Sequence, residues 1–235
     1  MKIGLIGIGR IGKLHGELLT YHIPEVEIKT AADIYLNEVK DWAKQLNIFN
    51  LTTDYTEILN DEEIEAVLIC SPTDSHAQLI TEVANAGKHI FCEKPIDFNV
   101  EKIKQALNSV KAAGVKLQIG FNRRFDHNHK KIRQLVESGK VGDVQIVKIT
   151  SRDPAPPPIE YLKTSGGIFL DMTIHDFDMA RYLSMSEIVE VFAQGAVLID
   201  PAIGQIGDID TAIITLKFKN GALGVIDNSR QAVYG

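Results

Sequence analysis

The sequence predicts an α/β chain: an N-terminal domain on a doubly wound parallel sheet (a Rossmann sheet), followed by an α+β domain with a mostly antiparallel sheet. Three observations predict it. An apolar strand opens the chain and runs into a glycine-rich turn; short strands then alternate with helices as far as residue 121; beyond it, prolines and longer strands replace that alternation. We expect the first domain over residues 1–121 and the second over residues 122–235.

The opening strand runs into Gly-x-Gly-x-x-Gly, formed by Gly7, Gly9 and Gly12. Gly7 permits the tight turn, Gly9 lets the backbone approach a pyrophosphate, and Gly12 lets the helix pack close to the strand. The free N–H groups of the first helical turn, which includes Arg10 and Ile11, and the positive end of the helix dipole favour an anion. The pattern predicts a dinucleotide site; a purely structural glycine turn is the alternative.

One acidic residue indicates which dinucleotide binds. Asp33 closes the second strand, 21 residues past Gly12. At that spacing a carboxylate accepts hydrogen bonds from the adenosine ribose hydroxyls and repels a 2′-phosphate. We therefore expect NAD rather than NADP.

The remaining elements of the first domain follow from alternating apolar runs and helix-ending glycines. After the first helix, which runs to about residue 21, we predict strands over 26–32, 66–70, 89–92 and 116–121 and helices over 36–46, 74–86 and 100–113. Strands that alternate with helices imply right-handed crossovers and a parallel sheet covered on both faces.

The second domain is predicted from a different pattern. A polar helix over 127–137 precedes a strand over 144–151, and the proline-rich segment 153–158 must be a loop because proline cannot donate to a sheet ladder. A helix over 173–183 and strands over 189–199, 211–219 and 222–228 complete it. Asn220-Gly221 predicts a type I′ hairpin between the last two strands.

Composition excludes several classes of function. The 235 residues are 45% hydrophobic and carry 25 Lys and Arg against 31 Asp and Glu, a net charge of −6. Nucleic acid is not an expected partner because no basic stripe is present. No apolar run is long enough to cross a bilayer, so we expect no membrane association and a cytoplasmic protein. Cys70 and Cys92 end apolar runs and are interpreted as structural thiols in a reducing compartment.

Two polar clusters are candidates for the chemistry. Glu93-Lys94-Pro95 follows the fourth predicted strand of the first domain, and Asp171 and His175 have the i, i+4 spacing that places two side chains on one side of a helix. We expect them to act where the two domains meet, at the carboxyl ends of the first domain's strands.

With these motifs, the whole chain resembles the glucose-fructose oxidoreductase / inositol dehydrogenase / MocA family. The shared segments are the glycine turn, Asp33, Ser71-Pro72-Thr73 with His76, Glu93-Lys94-Pro95, residues 120–125 and the Asp171/His175 pair. Segments 151–158 and 166–178 are most similar to the inositol dehydrogenases of that family.

The resemblance implies a role for each residue. His175 would accept the hydroxyl proton, since an unperturbed imidazole has a pKa of about 6.5. Asp171 would orient the imidazole or bind a substrate hydroxyl, and Lys94 would contact the substrate oxygen and the nicotinamide ribose. Ser71, Thr73, His76 and Glu93 join the cofactor site, and the implied substrate contacts are Asn122, Arg123, Asp153 and Tyr234.

The implied activity is NAD-dependent oxidation of a cyclic polyol, myo-inositol to 2-keto-myo-inositol (scyllo-inosose). A related sugar or polyol dehydrogenase and a non-catalytic NAD-binding redox sensor are the alternatives; a sensor has no need of Lys94, Asp171 and His175 together. Family members continue past residue 235, so we expect a longer native chain. The family's sheet-to-sheet dimers and tetramers imply a homo-oligomer formed through the second domain.

Three residue groups have second interpretations. Asp171, His175 and Asp178 could be metal ligands, but no His or Cys cluster completes a tetrahedral set, so we expect no metal. Arg123 and Arg124 could form a solvated basic face. Asp153 could initiate the turn before Pro154.

Overall fold

The computed structural model describes residues 1–232, and Tyr234 therefore lies outside the described residues. The chain divides into two compact units, Met1–Gly120 and a second that begins at Phe121. No helix of the described residues is long and apolar enough to cross a membrane. The two units are described separately.

The first unit contains one six-stranded sheet in the order β3-β2-β1-β4-β5-β6, and every neighbouring pair is parallel. The strands are β1 Lys2–Ile6, β2 Glu27–Ala32, β3 Asn50–Thr52, β4 Ala66–Ile69, β5 His89–Cys92 and β6 Leu117–Ile119. This is the strand order of the doubly wound dinucleotide-binding fold, with its switch point between β1 and β4. The predicted parallel sheet is confirmed.

Helices cover both faces of this sheet. They are α1 Arg10–His22, α2 Lys40–Gln45, α3 Thr56–Asn60, α4 Thr73–Asn85 and α5 Val100–Ala113. Two apolar clusters form the core, one around Ile69 and Ile80 and the other around Leu5 and Trp42. Burial on both faces explains why the strands read as short continuous apolar runs.

The structure differs from the prediction in the region between β2 and β4. The predicted helix over 36–46 is a 3₁₀ turn, Leu36–Glu38, followed by the short helix α2. The edge strand β3 and the helix α3 were not predicted, because elements of three and five residues are too short to show a period.

The described part of the second unit contains a four-stranded sheet in the order β7-β10-β9-β8. The strands are β7 Ile146–Arg152, β8 Ile188–Ala196, β9 Thr211–Phe218 and β10 Leu223–Ser229. Strand β9 is antiparallel to β8 and β10, whereas β10 and β7 are parallel, so the sheet is mostly antiparallel as predicted. The predicted antiparallel hairpin between β9 and β10 is confirmed, but its turn is not type I′ as predicted, because Gly221 has a positive φ of 92° and Asn220 does not.

The helices of the second unit are α6 His127–Glu137, α7 Ile159–Ser165, α8 Ile174–Ser184 and α9 Pro201–Gln205. Helix α7 was not predicted: the prolines form a loop, but Pro158 then caps a helix that ends at Gly166. A π-helical turn, Phe169–Thr173, leads directly into α8. Asp171 and His175 therefore lie on one continuous helical path.

Candidate active site

The glycine turn of the first unit is shaped by contacts that exclude side chains. Gly7 has a φ of 89°, and a Cβ there would lie 2.4 Å from the Ser71 backbone nitrogen. A Cβ on Gly12 would lie 2.0 Å from the Gly7 carbonyl oxygen, whereas a Cβ on Gly9 would meet no protein atom within 4 Å. Gly7 and Gly12 thus serve the turn itself, and Gly9 leaves open space beside it.

This open space adjoins the N-terminus of α1. Gly9 caps the helix without a side-chain hydrogen bond, and the first turn contains no acidic residue. The N–H groups of that turn therefore keep their capacity for an anion, and the positive end of the dipole of this 13-residue helix adds to it. These features fit a dinucleotide pyrophosphate.

Asp33 is held against the glycine turn. Its Oδ2 accepts a hydrogen bond of 2.6 Å from the Ile8 N–H, and its Oδ1 accepts one of 2.8 Å from the Tyr35 N–H. Each carboxylate oxygen can accept a further bond. The side chain therefore has a fixed orientation and spare acceptors, as ribose recognition requires.

His76 lies at the other side of the glycine turn and is 2% exposed. Its Nδ1 lies 2.8 Å from the Pro95 carbonyl oxygen and its Nε2 lies 2.7 Å from the Ser71 carbonyl oxygen. Both ring nitrogens thus face backbone carbonyls. The ring ties the Ser71 loop to the loop after β5 and has no further polar atom to offer a nucleotide. Thr73 begins α4 next to this loop.

Glu93 pairs with a residue that sequence reasoning missed. His15 Nε2 on α1 lies 2.8 Å from Glu93 Oε1, and the His15 ring packs edge-on against Phe91. A Cβ on Gly120 would lie within 2.9 Å of the Glu93 carboxylate. The other Glu93 oxygen accepts from the Lys94 N–H at 3.3 Å, so this network holds the backbone from which the Lys94 side chain extends.

In the second unit, Asp171 is bound from two sides. The Tyr161 hydroxyl on α7 donates to its Oδ1 at 2.7 Å, and Arg230 Nη1 donates to its Oδ2 at 2.9 Å. The same Arg230 nitrogen lies 3.4 Å from Asp153 Oδ2. The structure therefore brings Asp153 and Asp171 together around one buried guanidinium.

The residue after His175 anchors the same helix. Asp176 is fully buried; its Oδ1 accepts from Arg123 Nη1 at 2.5 Å and its Oδ2 accepts from Asn228 Nδ2 at 2.8 Å. The His175 ring packs edge-on against Phe121, with ring centroids 6.4 Å apart. The start of α8 is thereby tied to β10 and to the segment after β6.

Arg123 and Arg124 do not form a solvated basic face, so that alternative was wrong. Arg123 pairs with Asp176, and Arg124 binds both oxygens of Asp178 at 2.8 and 2.5 Å. Asp178 is also buried, and the Arg124 guanidinium balances the negative charge of the Asp178 carboxylate. Within residues 1–232, no group of His, Cys, Asp or Glu side chains is arranged to hold a metal ion.

A surface pocket of about 640 Å³ in the second unit is lined by Asn122, Arg123 and Ser151, among others. Asn122 is exposed there. Asp153, Asp171 and His175 do not line this pocket. Asn122 and Arg123 thus line a pocket that the two carboxylates do not border, although Arg123 also binds Asp176, the residue next to His175.

Sequence reasoning missed His15, Tyr161, Asp176 and Arg230. For His15 a signal existed, because it lies one helical turn beyond Gly12. For Asp176 no distinguishing signal existed, because His175 and Asp178 are polar neighbours in the same stretch. Arg230 is 59 residues from Asp171 along the chain, and no local pattern connects the two.

Comparison with known proteins agrees with this architecture. Residues 1–121 match the model of an oxidoreductase family with an NAD-binding Rossmann fold, and residues 129–235 match the Gfo/Idh/MocA C-terminal domain. The chain is 56% identical over 99% of its length to the uncharacterized oxidoreductase YrbE of Bacillus subtilis, and covers 68% of that protein.

Two further relatives have more specific names. Myo-inositol 2-dehydrogenase of Thermotoga maritima is 49% identical over the whole chain, which covers 70% of that protein. The crystal structure of scyllo-inositol dehydrogenase from Lactobacillus casei, with bound NAD(H) and scyllo-inositol, superposes with a TM-score of 0.92 at 33% identity over the whole chain and 71% of that structure.

Both halves of the chain thus match consecutive domains of one family, and the predicted resemblance is confirmed. The chain belongs to the Gfo/Idh/MocA family of oxidoreductases, whose first domain is an NAD-binding Rossmann fold.

Proposed function

We propose that this protein is an NAD-dependent dehydrogenase that oxidises a secondary hydroxyl of a cyclic polyol, converting myo-inositol to 2-keto-myo-inositol. The observation that carries the proposal is the pair of carboxylates, Asp153 and Asp171, that Arg230 binds; Asp171 lies on the helical path that leads to His175. Carboxylates are good acceptors for the adjacent hydroxyls of a polyol. The first unit adds a glycine turn and a ribose-binding carboxylate.

The nucleotide side of the proposal rests on the first unit. Gly7, Gly9 and Gly12 shape the turn, and Arg10 and Ile11 provide N–H groups for the pyrophosphate. Asp33 binds the adenosine ribose, while Ser71, Thr73 and Glu93 border the site. His76 shapes it by holding the Ser71 loop. When bound, NAD supplies the acceptor for the hydride that leaves the alcohol carbon.

The catalytic roles are assigned by chemical need. His175 accepts the hydroxyl proton, because imidazole is the side chain suited to this task near neutral pH. The Lys94 ammonium stabilises negative charge on the substrate oxygen. Asp171 accepts a hydrogen bond from a substrate hydroxyl, with its carboxylate oriented by Tyr161 and Arg230.

The remaining substrate contacts belong to the same proposal. Asp153, on the loop after β7, accepts from a second hydroxyl, while Asn122 and Arg123 provide donors; Tyr234 is assigned by resemblance alone. Because Arg123 Nη1 already binds Asp176, its contact with substrate must use the other nitrogens of the guanidinium.

We include a homodimer or homotetramer and a cytoplasmic location in the proposal. On one face of the second unit's sheet, Phe192, Ile213 and Leu223 are 63%, 49% and 55% exposed, which supports association through this face. Sedimentation of the full-length protein tests it, and a single monomeric species would contradict it. Burial raises the pKa of the Cys70 and Cys92 thiols, as expected of unreactive cysteines in a reducing compartment.

The decisive experiment measures NADH formation by the full-length protein with myo-inositol, scyllo-inositol and a set of aldoses. We expect the largest kcat/KM with myo-inositol, and 2-keto-myo-inositol as its product. A larger value with scyllo-inositol, the compound bound to the similar Lactobacillus casei enzyme, would change the substrate but keep the reaction. NAD binding without turnover of any polyol or aldose would instead support a redox sensor.

A further inference from the structure

We propose that Arg230 is a positioning residue that sets the orientation of the two carboxylates, Asp171 and Asp153, toward substrate hydroxyls. The inference rests on the proposed function and deepens it, because it names the residue that makes the polyol site selective for a fixed arrangement of hydroxyls.

Arg230 is placed by the backbone at the end of β10. Its N–H donates to the Asp210 carbonyl oxygen at 2.8 Å, and the preceding residue, Ser229, accepts from the Asp153 N–H at 3.1 Å. The loop that carries Asp153 is thus fastened to the same strand end as Arg230. The guanidinium and the Asp153 carboxylate are held together by backbone and side-chain contacts.

The side chains form a gradient of burial from the guanidinium outward. Arg230 is 2% exposed, Asp171 is 12% exposed and Asp153 is 33% exposed. The buried cation therefore lies behind the two carboxylates, and the carboxylates lie toward solvent. One guanidinium between two carboxylates leaves a formal charge of −1, which favours hydroxyl donors.

Tyr161 completes the orientation of Asp171. The hydroxyl holds Oδ1 while the guanidinium holds Oδ2, and the two partners come from different elements, α7 and the end of β10. A carboxylate held at both oxygens cannot rotate about its Cβ–Cγ bond without breaking a hydrogen bond. The lone pairs of both oxygens consequently point in fixed directions.

A purely stabilising role explains this arrangement poorly. Among the described residues, Arg230 Nε and Nη2 are buried and have no hydrogen-bond partner. Burying a charge with unsatisfied donors is costly, and buried ion pairs seldom repay their desolvation. The geometry points to a guanidinium retained for what it does to Asp171 and Asp153.

The test compares four single variants of the full-length protein: Arg230→Met, Arg230→Lys, Tyr161→Phe and Arg181→Met. Arg181 is the matched control, because it binds both oxygens of the Glu187 carboxylate in the same unit, away from Asp171. For each variant, kcat and KM for the polyol, the Kd for NAD and the melting temperature are measured.

We expect Arg230→Met to lower kcat/KM for the polyol by about 100-fold, mainly through KM, with the Kd for NAD unchanged. Arg230→Lys should recover part of the loss, because it restores a cation but not the fork geometry. Tyr161→Phe should lower kcat/KM by about 5-fold without a change in melting temperature, since the ring is half-exposed and the hydrogen bond to the Asp171 carboxylate is lost. Arg181→Met should match the parent.

The proposal is overturned if Tyr161→Phe and Arg230→Lys both keep the parental kcat/KM in an active enzyme. It is also overturned if the loss in Arg230→Met disappears once the rate is corrected for the folded fraction. Inactivity of the parent protein on every polyol would be a different failure, because it would contradict the proposed function itself.

Discussion

The two units form their candidate sites in different ways. In the first unit, the glycine turn and the start of α1 come from six consecutive residues, and backbone atoms make most of the site. In the second unit, Asp153, Asp171 and Arg230 come from separate segments of the chain, and the contacts of Arg230 with the two carboxylates are made by side chains. A site of the first kind depends on the absence of side chains, whereas one of the second kind depends on exact side-chain chemistry.

The comparison predicts opposite sensitivities to mutation. The backbone site should fail when a methyl group is added, even where the protein still folds. The side-chain site should fail when a single functional group is removed, while nucleotide binding continues in the other unit. Each prediction below tests one side of this contrast.

The largest expected effect is that of His175→Ala. If the imidazole accepts the hydroxyl proton, kcat should fall by about 10²–10⁴-fold, while the Kd for NAD stays the same. Steady-state kinetics at saturating polyol, together with NAD titration by fluorescence, measure both quantities. Lys94→Ala is the companion variant, and it should weaken turnover and NAD binding together. A near-parental kcat in His175→Ala would remove the imidazole from proton transfer.

The sequence predicted the first unit well because its rules are local. The glycine triplet and the helix-ending glycines each act within a few residues, Asp33 lies at a set spacing from the triplet, and a parallel sheet buried on both faces needs continuous apolar runs. The hydrogen bond from the Ile8 N–H to Asp33 could not be predicted from the sequence, because it joins the glycine turn to the next strand through space. The short elements β3 and α3 were missed for lack of a measurable period.

The second unit was predicted less completely because its determinants are distant in sequence. The Asn220-Gly221 hairpin and the α8 region were foreseen from local patterns. The pairing of Arg124 with Asp178 and of Arg230 with Asp171 joins residues 54 and 59 positions apart, and a charged residue in a sequence does not reveal its partner. Helix α7 was not predicted, because the prolines before it indicate a loop, although a proline at the start of a helix is common.

Two glycine substitutions in the first unit distinguish the role of Gly12 in forming the turn from the role of Gly9 in contacting the nucleotide. Gly9→Ala should keep the parental stability, since its Cβ meets no protein atom within 4 Å, yet raise the Kd for NAD by about 30-fold by blocking the pyrophosphate. Gly12→Ala should instead destabilise the protein by about 3 kcal/mol, because its Cβ would overlap the Gly7 carbonyl oxygen. Thermal melting measures the stability of both variants, and NAD titration measures their Kd for NAD. Equal changes in stability and in Kd for the two variants would contradict the separate roles of Gly9 and Gly12.

A smaller effect is expected for the choice of nucleotide. The Asp33 carboxylate, fixed by Ile8 and Tyr35, should repel a 2′-phosphate and favour NAD over NADP by about 10-fold or more in kcat/KM, equivalent to about 1.4 kcal/mol. Asp33→Asn removes the charge at nearly the same shape and should reduce that preference. Equal kcat/KM values for NAD and NADP in the parent protein would contradict the role of Asp33.

The smallest effect on catalysis is expected at Asp210, a fully buried carboxylate in the second unit. Burial alone would raise the pKa of this group, but hydrogen bonds from the Leu198, Ile199 and Asp200 N–H groups and the Thr211 hydroxyl lower it below its ordinary value. A group whose pKa is lowered by folding stabilises the protein above its unfolded pKa, about 3.9, and loses that contribution as the pH falls further. Asp210→Asn should therefore be less stable than the parent by about 2 kcal/mol at neutral pH, with kcat/KM unchanged.

Urea unfolding between pH 7 and pH 3 measures the difference in the free energy of unfolding between parent and variant, which should stay constant down to about pH 5 and then narrow. A difference that stays constant or widens toward pH 3 would show that the carboxylate's charge does not stabilise the fold, and that shape alone sets the cost of the substitution.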